Sequence, residues 1–430
     1  MNVSVQPSTI NGRIHANASK SAMQRACAAA LVKPGKSIIS NPGISNDDKA
    51  ALDIIEKLGA KITQLADGSI SVEGVGSKII PNGINNTIHC GESGLSIRMF
   101  TPIASLSEQE VNITGEGSLM VRPMDFFDEI LPQLKVKVQS NKGKLPLSIN
   151  GPLIPQNITI DGSLSSQFLT GLLMAYSAAN ASDVTITVTD LKSKPYIDLT
   201  LQLLKEFGLK EPVNNNYESF YFPATTTDAT QTVTYSVEGD WSGAAFILVA
   251  GAVAGSVQLD GIYANSRQAD KKIIDAIVDA GAKVKVSPAS VSVEKDKLQA
   301  FSFDATDCPD LFPPLVALAA NCKGTTRILG LKRLKHKESD RGVTLQEEFA
   351  KFGIDIELND DIMLVHGSGK LTVKNHTMNS HHDHRIAMAA AVGALTADFE
   401  ISIRNADAIN KSYPEFYKHI AALGAKVQEV

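Results

Sequence analysis

Six times along the chain an apolar run of helical spacing opens on a cluster of polar or charged residues, and the openings are evenly spaced. They fall at Lys20, Ser93, Ser165, Trp241, Asp310 and His384, separated by 73, 72, 76, 69 and 74 residues. A second helical run follows each and ends in a recurrent phrase: LGAKI (58–62), QLKVKV (133–138), FGLK (207–210), AGAKV (280–284), FGIDI (352–356) and LGAKV (423–427). A period this long, holding two helices and short alternating runs, predicts six copies of one α/β module. The halves also match each other. SKSAMQRACAAALVKPG (19–35) corresponds to WSGAAFILVAGAVAG (241–255), and DKAALDIIEKLGAKI (48–62) to DKKIIDAIVDAGAKV (270–284). Runs such as SDVTITVTD (182–190), GSVQLDGI (255–262) and FEISIRN (399–405) alternate as half-buried strands do. Three modules per domain follow, with the chain expected to pass between domains in the polar stretch 213–232.

With 430 residues, two domains of about 200 are the natural division. A net charge of −5 gives no general attraction for nucleic acid or an anionic membrane, so any anion site must concentrate Lys and Arg locally. Cys27, Cys90, Cys308 and Cys322 lack paired metal spacing and fit a reducing compartment. MNVSVQPSTINGRIHA (1–16) has no apolar signal core, and no apolar run reaches the length of a membrane span.

A helix N-terminus offers unpaired N–H groups and a partial positive charge, which suits phosphate or carboxylate. Ser19 can cap the first helix, with Lys20 on its first turn and Ser21 and Arg25 on one face. Taken alone, this is also a capped surface helix. CGESGLSIRMF (90–100) puts Gly94 and Arg98 one turn apart, and DGSLSSQFLTGLLMA (161–175) presents Ser165, Ser166 and Gln167 as an uncharged cradle. Arg122 before Pro123, and Ser193 and Tyr196 around Pro195, mark starts of second helices. KESDRGV (337–343) crowds Lys337, Glu338, Asp340 and Arg341 together, which alone reads as a solvated charge run. Asp310 reads as a helix cap. HHDHR (381–385) suggests metal, but adjacent residues point different ways, so Arg385 is the more informative residue. Lys411 precedes another proline-marked start. Walker, zincin, nucleophile-elbow and dinucleotide motifs are absent. What remains is a set of cations at module ends, suited to two small, multiply anionic substrates.

These residues carry a resemblance. SKSAMQRA, GESGLSIRMF, the VRPM stretch, GSLSSQFLTGLLMA, SKPYIDLTL, KHKESDRG, DHRIAMA and NKSYPEF occur in order from about Lys20 to Lys411. In them the chain closely resembles the EPSP synthase (3-phosphoshikimate 1-carboxyvinyltransferase) branch of the enolpyruvyl transferase family. The resemblance implies an α/β fold of two domains, each of three βαβαββ modules in an inside-out α/β barrel, with the active site in the interdomain cleft. It implies domains at 19–234 and at 1–18 plus 235–430. The reaction it implies joins shikimate 3-phosphate to phosphoenolpyruvate and releases phosphate, without metal or organic cofactor, in a cytoplasmic monomer.

By the same resemblance, Ser21 and Arg25 hold the shikimate carboxylate. Ser165, Ser166, Ser193 and Lys337 form the 3-phosphate site near Tyr196, and Asp310 and Lys20 flank the 5-hydroxyl. Arg122, Gln167, Gly94, Lys20 and Lys411 surround the phosphate of phosphoenolpyruvate, and Arg341 and Arg385 its carboxylate. Asp310 is the expected base, with Lys20 or Glu338 the acid at C3. Gly94 is the residue expected to admit glyphosate, with Leu95 and Met99 beside it as modifiers. Glu92 and Arg333 depart from the pattern, each standing where Asn is usual. Glu92 is therefore left out of the site and Arg333 kept as a conditional phosphate contact. Two alternatives are the sister enzyme acting on UDP-N-acetylglucosamine and a non-catalytic anion-binding protein of the same fold. Lys20-Ser21, and the absence of cysteine from 113–124, favour the shikimate enzyme.

Overall fold

The computed structural model describes residues 1–82, 84–225, 229, 231–335 and 337–430. Each repeat is built around a pair of helices: α1 (Lys20–Val32) and α2 (Asn46–Lys57), α3 (Gly94–Ala104) and α4 (Asp125–Ile130), α5 (Ser166–Ala178) and α6 (Lys194–Glu206), α7 (Trp241–Ala254) and α8 (Ile273–Asp279), α9 (Phe312–Ala320) and α10 (Arg341–Ala350), α11 (His384–Ala394) and α12 (Phe416–Ala422). Each repeat also owns one four-stranded sheet. In the second repeat, Thr87–His89 runs parallel to Glu110–Thr114, which pairs antiparallel with Leu147–Asn150, itself the partner of Lys137–Ser140. Chain order is therefore βαβαββ, the parallel pair being joined through the first helix as a crossover requires.

The first and fourth repeats borrow their opening strand from elsewhere in the sequence. Val233–Ser236 pairs parallel with Gly35–Ser40, and Ile10–His15 with Gly255–Asp260. Asn2–Gln6 completes the sixth sheet, between Ile401–Arg404 and Lys426–Glu429. The chain accordingly divides into two compact units, Lys20–Val237 and Met1–Ser19 with Glu238–Val430. Within the polar stretch 213–232, Val213–Asn215 and Ser219–Phe222 form strands of the third sheet rather than a linker. Residues 226–228 and 230 of that stretch, and His336 of the KHKESDRG motif, lie outside the described residues.

Within each unit the first helices pack on one another, α1 with α3 and α5, and α7 with α9 and α11. A helix enclosed by sister helices and its own sheet must be apolar on every side. Every residue of α3, α7, α9 and α11 is buried, polar ones included. Close approach needs small residues. A Cβ on Gly171 of α5 would sit 2.7 Å from the carbonyl oxygens of Arg98 and Met99 on α3. Second helices are one-sided instead: α2 buries Ala51, Ile54 and Ile55 in the i, i+3, i+4 pattern.

The recurrent phrase has a backbone cause. Each second helix ends on a residue in the left-handed region: Gly59, Gly208, Gly281, Gly353 and Gly424 have φ from 66° to 108°. This turn reverses the chain into the strand that follows. In the second repeat Lys135 takes that place, with φ 68°.

Candidate functional site

In the Lys20–Val237 unit, α1 is no surface helix: eleven consecutive residues from Ala22 to Val32 are buried. Lys20 opens it, its Nζ 2.9 Å from Asp47 Oδ2 at the start of α2. Arg25, one turn further, donates from Nη1 to the Ser21 carbonyl (2.9 Å) and from Nε to Thr200 Oγ1 on α6 (3.0 Å), with its guanidinium 5.7 Å from the centre of the Tyr196 ring. Burial pushes its pKa down to about 10, which leaves it charged at neutral pH. Ser21, Arg25 and Tyr196 are thus brought together.

Ser93 caps α3, its Oγ accepting from Ser96 N–H at 3.1 Å and donating to Gln24 Oε1 at 2.9 Å. Beyond this cap two guanidiniums converge on Gly94. A Cβ there would fall 2.6 Å from Arg122 Nη1 and 3.2 Å from Arg98 Nη1, so only glycine lets both approach the helix start. Arg98 donates to Gln167 Oε1 at 2.9 Å and lies over the Phe168 ring at 5.2 Å. Gly94, Arg122 and Gln167 form a second group through it. Leu95 and Met99 are buried beside them. Ser165 caps α5 through Gln167 N–H (3.2 Å) and leaves Ser166 buried on the first turn. Ser193 precedes α6 with φ 57°. Glu92 accepts from Ser118 N–H at 3.2 Å and lies against Gly117.

In the other unit KESDRGV is not a solvated run. Arg341 is fully buried and donates to three carboxylates: from Nε and Nη2 to Asp383 (2.7 and 3.1 Å), from Nη2 to Glu338 Oε2 (2.5 Å), and from Nη1 to Asp310 Oδ1 (2.7 Å). Lys337 Nζ reaches Asp310 Oδ1 at 3.2 Å, and Arg385 Nη2 reaches Asp310 Oδ2 at 3.2 Å. Asp310 does not cap a helix. It sits in a 3₁₀ turn, Pro309–Leu311, ahead of α9, with three cations on its carboxylate. Burial alone would raise that carboxyl; Arg385, Lys337 and Arg341 outweigh it and hold the group well below the usual carboxylate range. Burial lowers the Lys337 ammonium, despite attraction to Asp310. Arg333 adds to the positive field at Lys337. Lys411 donates to the carbonyl of His382, the residue before Asp383, at 2.7 Å.

The histidines of HHDHR go separate ways. His381 meets Glu348 at 2.9 Å, His382 offers its carbonyl to Lys411, and His384 is buried. The residue of that motif that joins the charge cluster beside Arg385 is Asp383, which caps α11 through Arg385 N–H and grips Arg341 with both oxygens. Sequence reasoning passed it over, along with Asp47 and Asp270. Their signal was position, since all three acids lie at helix starts of the repeat. The four cysteines are buried, and burial raises their thiols. No helix among the described residues is long and apolar enough to cross a membrane.

The fold has known counterparts. The structure superposes on an EPSP synthase from Acinetobacter baumannii with a TM-score of 0.80 at 24% identity, both chains covered in full. It superposes on the enolpyruvyl transferase NikO from Streptomyces tendae with a TM-score of 0.78 at 15% identity, over 100% of this chain and 98% of the other. The fold is therefore that of the enolpyruvyl transferases. Residues 5–420 match the family model described as EPSP synthase (3-phosphoshikimate 1-carboxyvinyltransferase). Proteins named 3-phosphoshikimate 1-carboxyvinyltransferase from Clostridium novyi (strain NT) and Clostridioides difficile (strain 630) are 36% and 33% identical, over 100% and 99% of this chain and 98% of each relative. The chain belongs to the EPSP synthase family.

Proposed function

We propose that the chain transfers the enolpyruvyl group of phosphoenolpyruvate to the 5-hydroxyl of shikimate 3-phosphate, releasing inorganic phosphate. The observation that carries the chemistry is Asp310, a carboxylate ringed by Lys337, Arg341 and Arg385 in a chain with whole-length relatives of that name. With three cations on it, Asp310 is a weak base. Anionic substrates that draw those cations to themselves raise its basicity where the hydroxyl proton must be taken. The hydroxyl oxygen then bonds to C2 of phosphoenolpyruvate while C3 gains a proton from Lys20 or Glu338. Loss of a C3 proton restores the double bond as the C2–O bond to phosphate breaks. Fixed cations balance the substrates' charge without reorganising during the reaction.

The remaining roles are those the family resemblance implies. Ser21 and Arg25 take the shikimate carboxylate; Ser165, Ser166, Ser193, Tyr196 and Lys337 the 3-phosphate; and Lys20 lies by the 5-hydroxyl. Lys20, Gly94, Arg122, Gln167 and Lys411 take the phosphate of phosphoenolpyruvate, and Arg341 and Arg385 its carboxylate. The units Lys20–Val237 and Met1–Ser19 with Glu238–Val430 serve in this reading as the two domains. A cytoplasmic monomer acting on small molecules completes it. Two variants test the map. Arg122→Ala retains shikimate 3-phosphate binding and loses phosphoenolpyruvate binding, and equal loss of both contradicts the assignment. Asp310→Ala binds both substrates but turns over about 10²–10⁴-fold more slowly, whereas a near-normal rate removes it as the base.

A further inference from the structure

A carboxylate that the reaction does not use, that of Asp270, lies close enough to the Asp310 cluster to feel the charge of Asp310 and Arg385. Asp270 is fully buried at the start of the 3₁₀ turn before α8. One oxygen, Oδ2, accepts from Ser242 Oγ of α7. The other, Oδ1, is buried with no hydrogen-bond partner among the described residues, and the same holds for Arg385 Nε. Two opposite valences are thus unmet in one electrostatic neighbourhood, since Asp270 and Arg385 each feel the other's charge. Such groups stay orphaned at a cost unless a second state satisfies them. Arg385 has only a loose hold where it stands, reaching Asp310 Oδ2 at 3.2 Å and the Asp310 carbonyl at 3.5 Å. The repeat supplies an independent parallel. Asp48, equivalent to Asp270 in the sequence match, is also buried, accepts a serine hydroxyl, leaves Oδ1 unpartnered and lies in the field of an active-site cation, Lys20.

We propose that Asp270 is a positioning residue for Arg385: its unpaired oxygen takes Arg385 Nε when a substrate carboxylate draws the Nη edge of that guanidinium off Asp310. Nε is then fixed from behind and the two Nη groups are presented as a fork to the anion. The inference rests on the proposed role of Arg385 toward phosphoenolpyruvate. Asp270 is faced by Asp240, which caps α7, and Ser242 on α7, by Cys308 and Asp310 at the turn before α9, and by Arg385 from α11. Burial, then Asp310, raises its pKa to about 6 against the pull of Arg385. Only the ionised form grips Nε well, so the grip weakens as pH falls through about 6.

The test uses the whole enzyme. Asp270→Asn should raise KM for phosphoenolpyruvate about tenfold, leave shikimate 3-phosphate affinity within about twofold, and lose the wild-type fall in kcat/KM below about pH 6. Asp270→Glu should restore part of the loss. Ser242→Ala, which keeps the carboxylate but loosens it, should shift KM the same way by less. Without substrate the two residues share no hydrogen bond but already feel each other's charge, so a cycle of Asp270→Asn and Arg385→Lys in urea unfolding should be weakly non-additive through that charge alone. Additive unfolding with an unchanged KM overturns the proposal, and so does equal loss of affinity for both substrates. If the wild type turns over neither substrate, the functional reading falls while the cycle still decides the Asp270–Arg385 coupling.

Discussion

Arg341 shows how much one side chain can hold in a site of this kind. Its guanidinium is fully buried and joins Asp310, Glu338 and Asp383, which approach from three segments of the chain. Burial would lower its pKa, but Asp383, Glu338 and Asp310 together raise it. Arg341→Ala leaves three carboxylates around an empty space and should cost about 3–5 kcal/mol in urea unfolding. Arg341→Lys should recover little of this, because an ammonium cannot span the same forks. An unchanged midpoint would show the cluster to be solvated. None of this burial was legible in KESDRGV, where the charges look like an exposed run. The decisive partner, Asp383, lies 42 residues further on, at another helix start. Spacing shows which residues share a helix face; it does not show which charges a fold encloses.

The repeat was the most legible feature at the level of elements. Helices begin at Lys20, Trp241 and His384, and Ser93 and Ser165 are the caps of two more. The fifth start misleads: Pro309, Pro313 and Pro314 surround Asp310, and α9 begins only at Phe312, after the 3₁₀ turn. Local signals fixed helices and turns because caps and left-handed residues act over a few residues. The pairing of Val233–Ser236 with Gly35–Ser40 was not visible in the same way, since strand partners this distant leave no local mark. The left-handed position at the end of each second helix yields a direct prediction. Lys135 is the one member of that set with a side chain, so Lys135→Gly relieves strain the other five repeats avoid. Stability should rise by up to about 1 kcal/mol, read as a higher urea midpoint. A decrease would mean that the lysine side chain contributes more than its backbone costs.

For the whole molecule, both compact units are built from complete sheets even though one is discontinuous in sequence. Lys20–Val237 contains all the strands of its three sheets and its three mutually packed helices. Expressed alone, this segment should show mixed α/β circular dichroism and one cooperative unfolding transition. A non-cooperative melt would mean that its core depends on the rest of the chain. The candidate site is split differently. Lys20, Arg25, Arg122 and Gln167 belong to this segment, and Asp310, Lys337, Arg341 and Arg385 to the other. The reading of function asks both sets to act in one reaction, and a single assay addresses that claim. Phosphate release from phosphoenolpyruvate should be measured with purified protein and either shikimate 3-phosphate or UDP-N-acetylglucosamine as acceptor. Release with shikimate 3-phosphate alone is the predicted result. Release with the nucleotide sugar alone, or with neither acceptor, contradicts the account.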